Sequence, residues 1–223
     1  MLERIPSSRW VLIRFVAIGV IALAFFVGLP GVLHGDPSIF DRNFMLALRR
    51  ADDLSTPIGP TWLRQTLQDI TALGDTPLIT LMTIAAVGYL IAARKPAFAL
   101  QIALTVAMGA TFNTLIKTIV ERPRPDIVPH LTHFSSHSFP SGHAFNSTVF
   151  FLTLGVLLAR AQPRRPMRTY ILTFAALFPL TIGFTRVYLG VHWPSDVMAG
   201  WCLGAAWVWL SMLVANRFGD QRA

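Results

Sequence analysis

The chain has 223 residues, of which 53% are hydrophobic and 13% charged, against roughly 45–50% and about 25% in an ordinary soluble domain. That imbalance excludes a typical soluble globular protein. The single cysteine, Cys202, excludes a disulfide framework and a cysteine-based zinc site, and the net charge of +8 points to nucleic acid only if the cations gather on one soluble face.

Apolar stretches without charge run over residues 15–33, 76–93, 96–116, 144–159, 169–185 and 197–216. They are continuous rather than alternating, and a hydrocarbon core of about 30 Å takes roughly 17–25 residues of helix. The pattern predicts an all-α polytopic membrane protein with six transmembrane helices, the two shorter stretches lengthening into their flanks. No linker, low-complexity tract or repeat divides the chain, so one domain over residues 1–223 is expected.

The first stretch follows Arg4, Arg9 and Arg14, as the core of a cleaved signal peptide would. Its length, and the lack of a small-x-small cleavage site after it, favour an uncleaved span. Between the first two spans, residues 34–75 hold four Arg and six Asp. Phe40, Phe44, Leu48 and Ala51 follow helical spacing there, as do Leu63, Leu67, Ile70 and Leu73, which predicts short amphipathic helices. Such helices either lie at the membrane interface, bordering a lateral opening for lipid, or pack over the bundle. Gly74 can end the second of them, Asp75 or Thr76 can cap the next, and Pro77 suits its first turn.

Six spans put both termini on one side. That side carries eleven Lys and Arg, among them Arg94, Lys95, Arg160, Arg164, Arg165 and Arg168, and the other carries eight. The excess of cations on cytoplasmic loops therefore predicts cytoplasmic termini, with loops 34–75, 117–143 and 186–196 outside. The positive charge is then topological and implies no nucleic-acid partner.

Three outer segments carry chemistry. The third span ends at Lys117, and Arg124 follows seven residues on, with Pro123 and Pro125 expected to end the helix first and leave Arg124 on the loop. Alone, Lys117 also has a lesser reading as a snorkelling anchor at a span end. Pro140-Ser141-Gly142-His143 leads directly into the next apolar run. A Ser-Gly turn feeding a helix N-terminus exposes backbone N–H groups to an anion, and the same residues also make an ordinary helix cap. In the third segment, Thr185-Arg186 precedes His192, and Pro194 at a first helical position puts Asp196 in the first turn. From there Asp196 can turn back to His192 and hold one tautomer, leaving the other ring nitrogen free to attack, although a lone histidine near a proline is more often structural. Lys117, Arg124 and Arg186 on one face beside an N–H cradle and two histidines together describe a site for a phosphoryl group, whose transition-state oxygens fixed cations stabilise.

These segments resemble, in order, the three motifs of the type-two phosphatidic acid phosphatase superfamily, which includes membrane lipid phosphatases and soluble vanadium haloperoxidases. Lys-x6-Arg-Pro matches Lys117 to Pro125, Pro-Ser-Gly-His matches Pro140 to His143, and Ser-Arg-x5-His-x3-Asp matches Thr185 to Asp196. Only Thr185 departs, and it keeps the hydroxyl. The resemblance implies that His192 attacks phosphorus and becomes a phosphohistidine, with Asp196 stabilising its imidazolium character. His143 would protonate the leaving oxygen and then activate water. Lys117, Arg124, Ser141, Gly142 and Arg186 would hold the phosphoryl oxygens, with no metal and no cofactor.

The expected function is a lipid phosphatase of a bacterial inner membrane, its site facing the exterior. Its substrate would be a membrane lipid phosphate or diphosphate: an isoprenyl diphosphate, a phosphatidylglycerophosphate, a phosphatidate or a lipid A phosphate. A phosphotransferase using the same phosphohistidine, or a non-catalytic lipid transporter, are the alternatives. His130, His133, His137 and His143 fall within fourteen residues and suggest zinc. Nearby carboxylates are scarce, however, and catalytic zinc usually has three ligands with carboxylate support. His34, at the end of the first span, reads as an interfacial polar residue.

Overall fold

A computed structural model describes residues 36–132 and 136–219. The predicted first span, residues 15–33, lies outside the described residues, as do His34 and His133. Seven helices and one small hairpin follow in chain order: α1 (Ile39–Ala47), β1 (Arg49–Arg50), β2 (Asp53–Pro57), α2 (Thr61–Ala72), α3 (Thr76–Ala92), α4 (Pro96–Val120), α5 (Gly142–Ala161), α6 (Arg165–Tyr188) and α7 (Pro194–Gly219).

Four of these, α4 to α7, are long and apolar enough to cross a membrane. Helix α3 has 17 residues and is bent 52° from α2, the two together making a fifth candidate span. The described residues thus hold four or five candidate spans, and the sixth expected from sequence falls on residues 15–33. Outward-facing Leu81, Ile84, Leu100, Leu104, Met108, Leu210 and Leu213 are exposed, which suits side chains that meet lipid tails rather than water.

Helix α5 is central and packs on α3, α4, α6 and α7. Around it Phe145, Val149 and Phe150 meet Ile79, Ile102, Val208 and Met212 in the largest apolar cluster. Lipid is as apolar as these side chains, so close packing rather than water exclusion holds the helices together. Small residues permit the approach: a Cβ on Gly155 would stand 2.4 Å from that of Ala175, and one on Gly183 would stand 2.5 Å from the Trp201 indole. The indole N–H of Trp201 donates to the carbonyl of Pro179 inside α6 at 2.9 Å, tying α7 to α6.

Helices α5, α6 and α7 extend beyond their uncharged stretches in both directions, and α4 extends beyond its stretch at the C-terminal end. Lys117 is therefore inside α4, whose end comes at Glu121 with a left-handed backbone, φ 48°. Consecutive antiparallel helices then bring the last turn of α4, the first turn of α5, the last turn of α6 and the first turn of α7 to one end of the bundle. All three motif segments lie at that end.

The loop between the first two predicted spans departs from expectation. Helix α1 stops at Ala47, capped at its start by Ser38 and Asp41 in a reciprocal box. Leu48 and Ala51, expected to continue its face, lie instead beyond the helix, in the approach to and the turn of an antiparallel hairpin pairing Arg49 with Pro57 and Arg50 with Asp53. Asp53 organises that hairpin, its carboxylate accepting from Ser55 and Thr56 at 2.6 and 2.7 Å. Helix α2 packs over the bundle: Leu63, Leu67 and Ile70 meet Tyr188, Leu189 and Val191. Phe40 and Phe44 of α1 face outward, their rings 5.7 Å apart.

Candidate active site

Lys117, Arg124, Gly142, His143, Arg186 and His192 line one cavity of about 670 Å³ at the motif end of the bundle. Six of the eight residues expected from the sequence therefore share its wall. The other two, Ser141 and Asp196, are wholly buried behind it.

His192 sits on the short connection between α6 and α7 and is 2% exposed. Its Nδ1 is 3.6 Å from Asp196 Oδ2, too far for a hydrogen bond. The direct carboxylate–imidazole bond expected from the sequence is replaced by a relay through Ser138. The Ser138 hydroxyl donates to Asp196 Oδ2 at 2.5 Å and lies 3.3 Å from His192 Nδ1. With its hydrogen spent on the carboxylate, Ser138 can only accept from the imidazole, which requires the Nδ1–H tautomer. Nε2 then carries the lone pair and faces Arg124 Nη1 at 3.3 Å. Burial above all, then the charges of Arg124, Lys117 and Arg186, holds the His192 pKa well below its ordinary value.

Asp196 is held from three sides. Besides Ser138, the Trp193 backbone N–H donates to Oδ2 at 3.0 Å and Arg122 Nη1 donates to Oδ1 at 2.6 Å. Arg122 is fully buried and also reaches Ser195 Oγ at 2.8 Å and Asp41 Oδ2 at 3.1 Å. Asp41 in turn accepts from the Ser195 backbone N–H and hydroxyl at 2.9 and 2.7 Å. A capping residue of α1 is thereby fastened to the start of α7 and, through Arg122, to Asp196.

Ser141 departs from the expected cradle. Its N–H donates to the Asp196 carbonyl at 3.0 Å, and its buried hydroxyl has no partner. Gly142 and His143, whose N–H groups in the first turn of α5 have no intrahelical acceptor, both line the cavity. A Cβ on Gly142 would meet Asn113 Nδ2 at 3.4 Å, an ordinary van der Waals contact that places the amide of Asn113 directly beside this turn.

The cations are fixed by carbonyl and hydroxyl oxygens. Lys117 Nζ donates to the His137 carbonyl at 2.6 Å. Arg124 Nε donates to the Ser136 carbonyl at 2.8 Å and Nη1 to the Val191 carbonyl at 2.6 Å. Burial draws the Arg124 pKa down to about 10, against the pull of Asp196, so it stays a cation at neutral pH. Arg186 Nη1 donates to Thr71 Oγ1 at 3.0 Å, while its buried Nε has no acceptor in the protein.

His143 and Asp75 line the same cavity, His143 Nε2 standing 2.7 Å from Asp75 Oδ1. Asp75 occupies the N-cap position of α3, as the sequence suggests, but its side chain makes no capping bond. It turns to His143 instead. Gly74 allows this approach, since a Cβ there would stand 2.5 Å from Ile182 and 3.0 Å from His143. Of the other histidines, His130 donates from Nε2 to the Pro125 carbonyl at 2.5 Å, and among the described residues no three metal-ligating side chains converge.

Arg122, Ser138, Asp41 and Asp75 escape a sequence reading. The available signals are weak: a second Arg two residues before Arg124, a serine-rich run before Pro140, and a carboxylate at a span end.

The PAP2 superfamily model matches residues 98–220, a range that holds all three motifs. Phosphatidylglycerophosphatase B of Bacillus subtilis is 35% identical over 151 residues, covering 66% of this chain and 72% of that protein. A lipid A 1-phosphatase of Rhizobium etli is 28% identical over 227 residues, covering 94% and 85%. The crystal structure of a transmembrane PAP2-type phosphatidylglycerolphosphate phosphatase from Bacillus subtilis superposes with a TM-score of 0.75 at 27% identity, covering 89% of this chain and 96% of that one.

Proposed function

The chain belongs to the PAP2 superfamily of membrane lipid phosphatases, and on that premise we propose that it hydrolyses a lipid phosphomonoester or diphosphate through a phosphohistidine on His192. The observation that carries this is the position of His192 Nε2: it faces Arg124 Nη1 at 3.3 Å in a cavity that Lys117 and Arg186 also line, while the Ser138 relay holds the proton on Nδ1.

Nε2 attacks phosphorus as the bond to the leaving oxygen breaks in line on the far side. The phosphoryl oxygens are met by Lys117, Arg124, Arg186 and the N–H groups of Gly142 and His143, which are ordered before substrate arrives and so need no reorganisation. As Nε2 bonds to phosphorus the imidazole gains positive charge, and Asp196 balances it through Ser138. His143, which lines the same cavity as His192, protonates the leaving oxygen, then takes a proton from the water that releases phosphate. No step calls for a metal.

The site is proposed to face the exterior of a bacterial inner membrane. Arg94, Lys95, Arg160, Arg164 and Arg165 lie at the opposite end of the bundle, which the positive-inside rule places in the cytoplasm. Outward Phe40 and Phe44 then rest at the lipid interface beside the site. The test is phosphate release by purified protein from a panel of lipid phosphates and diphosphates, with and without a strong chelator. Turnover that persists in chelator, with acid-labile labelling of wild type but not of His192→Ala by a phosphate-labelled lipid, supports the scheme; metal-dependent turnover or unchanged labelling of the variant refutes it.

A further inference from the structure

Two asparagines inside the bundle remain outside this scheme. Asn113 lies on α4, four residues before Lys117, and Asn146 lies on α5, three residues after His143. At 1.5 Å per residue they stand about 4.5–6 Å deeper in the bundle than Lys117 and His143, and both line the same cavity. Asn113 is 4% exposed, and the side-chain oxygens of both residues are buried with no hydrogen-bond partner. Polar side chains within spans are costly and mark function, and a buried acceptor without a donor forfeits a hydrogen bond.

Their place relative to the chemistry is specific. Nucleophile and leaving oxygen lie on opposite sides of phosphorus, so the leaving alcohol departs on the His143 side. Asn146 is one turn below His143, and Asn113 stands against Gly142. The atoms bonded to the leaving oxygen therefore descend between the two amides before reaching the lipid tails. We infer that Asn113 and Asn146 form a leaving-group subsite, accepting hydrogen bonds from a donor on the carbon next to the one that bears the phosphate. This rests on the phosphatase reading and narrows its substrate class. The ligand is a phosphorylated alcohol with a neighbouring hydroxyl or amide N–H, as in a glycerol headgroup or an amino-sugar ring. A prenyl chain has no such donor and would leave both oxygens dry.

The experiment compares substrate pairs in detergent micelles. One pair is phosphatidylglycerophosphate and its analogue with propane-1,3-diol in place of the terminal glycerol; the other is an amino-sugar lipid 1-phosphate with and without its C2 amide. In wild type, kcat/KM falls tenfold or more for the member without the donor in at least one pair, and the pair affected identifies the headgroup. Asn113→Leu and Asn146→Leu each shrink that ratio toward one by lowering the donor-bearing substrate, with the donor-free partner within about twofold of wild type. Equal kcat/KM within both pairs in wild type refutes the subsite whatever the variants do. A uniform loss across all four substrates, or a selective loss on a prenyl diphosphate, does the same. Release of phosphate from no lipid at all refutes instead the phosphatase reading beneath it.

Discussion

The two histidines of the site stand in unlike surroundings. His192 is backed by Asp41 of α1, Arg122 and Ser138 of the α4–α5 connection and Asp196 of α7, and Asp41, Arg122 and Asp196 have no exposed surface. Among the described residues the His143 imidazole bonds to Asp75, whose side chain is half exposed. A nucleophile gains from a fixed tautomer and a fixed approach, so a rigid low-dielectric shell suits it. A group that first gives a proton and later takes one must meet both an alcohol and water, and an open wall suits that. The contrast predicts that damage behind His192 is large and structural, whereas damage beside His143 is smaller and kinetic.

The largest effect is expected for His192→Ala. Turnover should fall to background because no other side chain supplies the covalent step, while expression and thermal midpoint in detergent stay near wild type. Measurable phosphatase activity in that variant would remove the nucleophile from the buried side altogether. Next is Arg122→Leu, which strands the carboxylates of Asp41 and Asp196. Loss of one partner from a buried ionic network costs about 3–5 kcal/mol, so the thermal midpoint should drop clearly and kcat with it. Wild-type stability and kcat in this variant would show that the network does not position Asp196.

Ser138→Ala tests the relay more gently. The cavity and cations stay in place, but neither His192 Nδ1 nor Asp196 Oδ2 finds the other within hydrogen-bond distance. A fall in kcat of about 10–100-fold with KM little changed is expected for loss of one positioning group at a catalytic imidazole, with Ser138→Thr recovering part of it. Asp75→Asn should lower kcat by about tenfold or less, since the amide still holds His143 but no longer stabilises its protonated form. A larger loss there than in Ser138→Ala would reverse the proposed contrast.

What was legible in the sequence follows the same division. Lys117, Arg124, His143, Arg186 and His192, to which the proposed chemistry is assigned, stand at fixed spacing within three segments, and antiparallel spans of known length leave those segments one common end. The supporting shell has no such local signature. Ser138 meets Asp196 across 58 residues and Asp41 meets Ser195 across 154, contacts that only the folded chain creates. Arg122 was visible as a charge, but its burial was not, because the chain turns inward only once α4 ends at Glu121. Local sequence offers Asp75 or Thr76 as the cap of α3, and Asp75 takes that position, but its carboxylate turns to the nearby His143 rather than to the backbone. The hairpin after α1 was hidden for a related reason, since Asp53 with Ser55 and Thr56 makes a side-chain-bonded turn where apolar periodicity alone suggests more helix.

The finest test of the contrast is the acid limb of kcat/KM. His192 attacks only when neutral, and burial together with Arg124, Lys117 and Arg186 depresses its pKa well below the ordinary 6.5. A depressed pKa means that the free enzyme keeps the imidazole neutral as pH falls through 6.5, so His192 should add no limb there. A phosphomonoester substrate loses its own second charge near pH 6, which imposes an inflection on every variant, so the informative quantity is the difference between proteins on one substrate. Arg124→Gln removes the first of the charges acting on His192. Its pKa should then rise, and the limb of the variant should move to higher pH than that of wild type, on top of a uniform loss of phosphate binding. Coincident limbs would mean that burial alone sets the charge of His192, and that the cations serve the phosphoryl group without tuning the nucleophile.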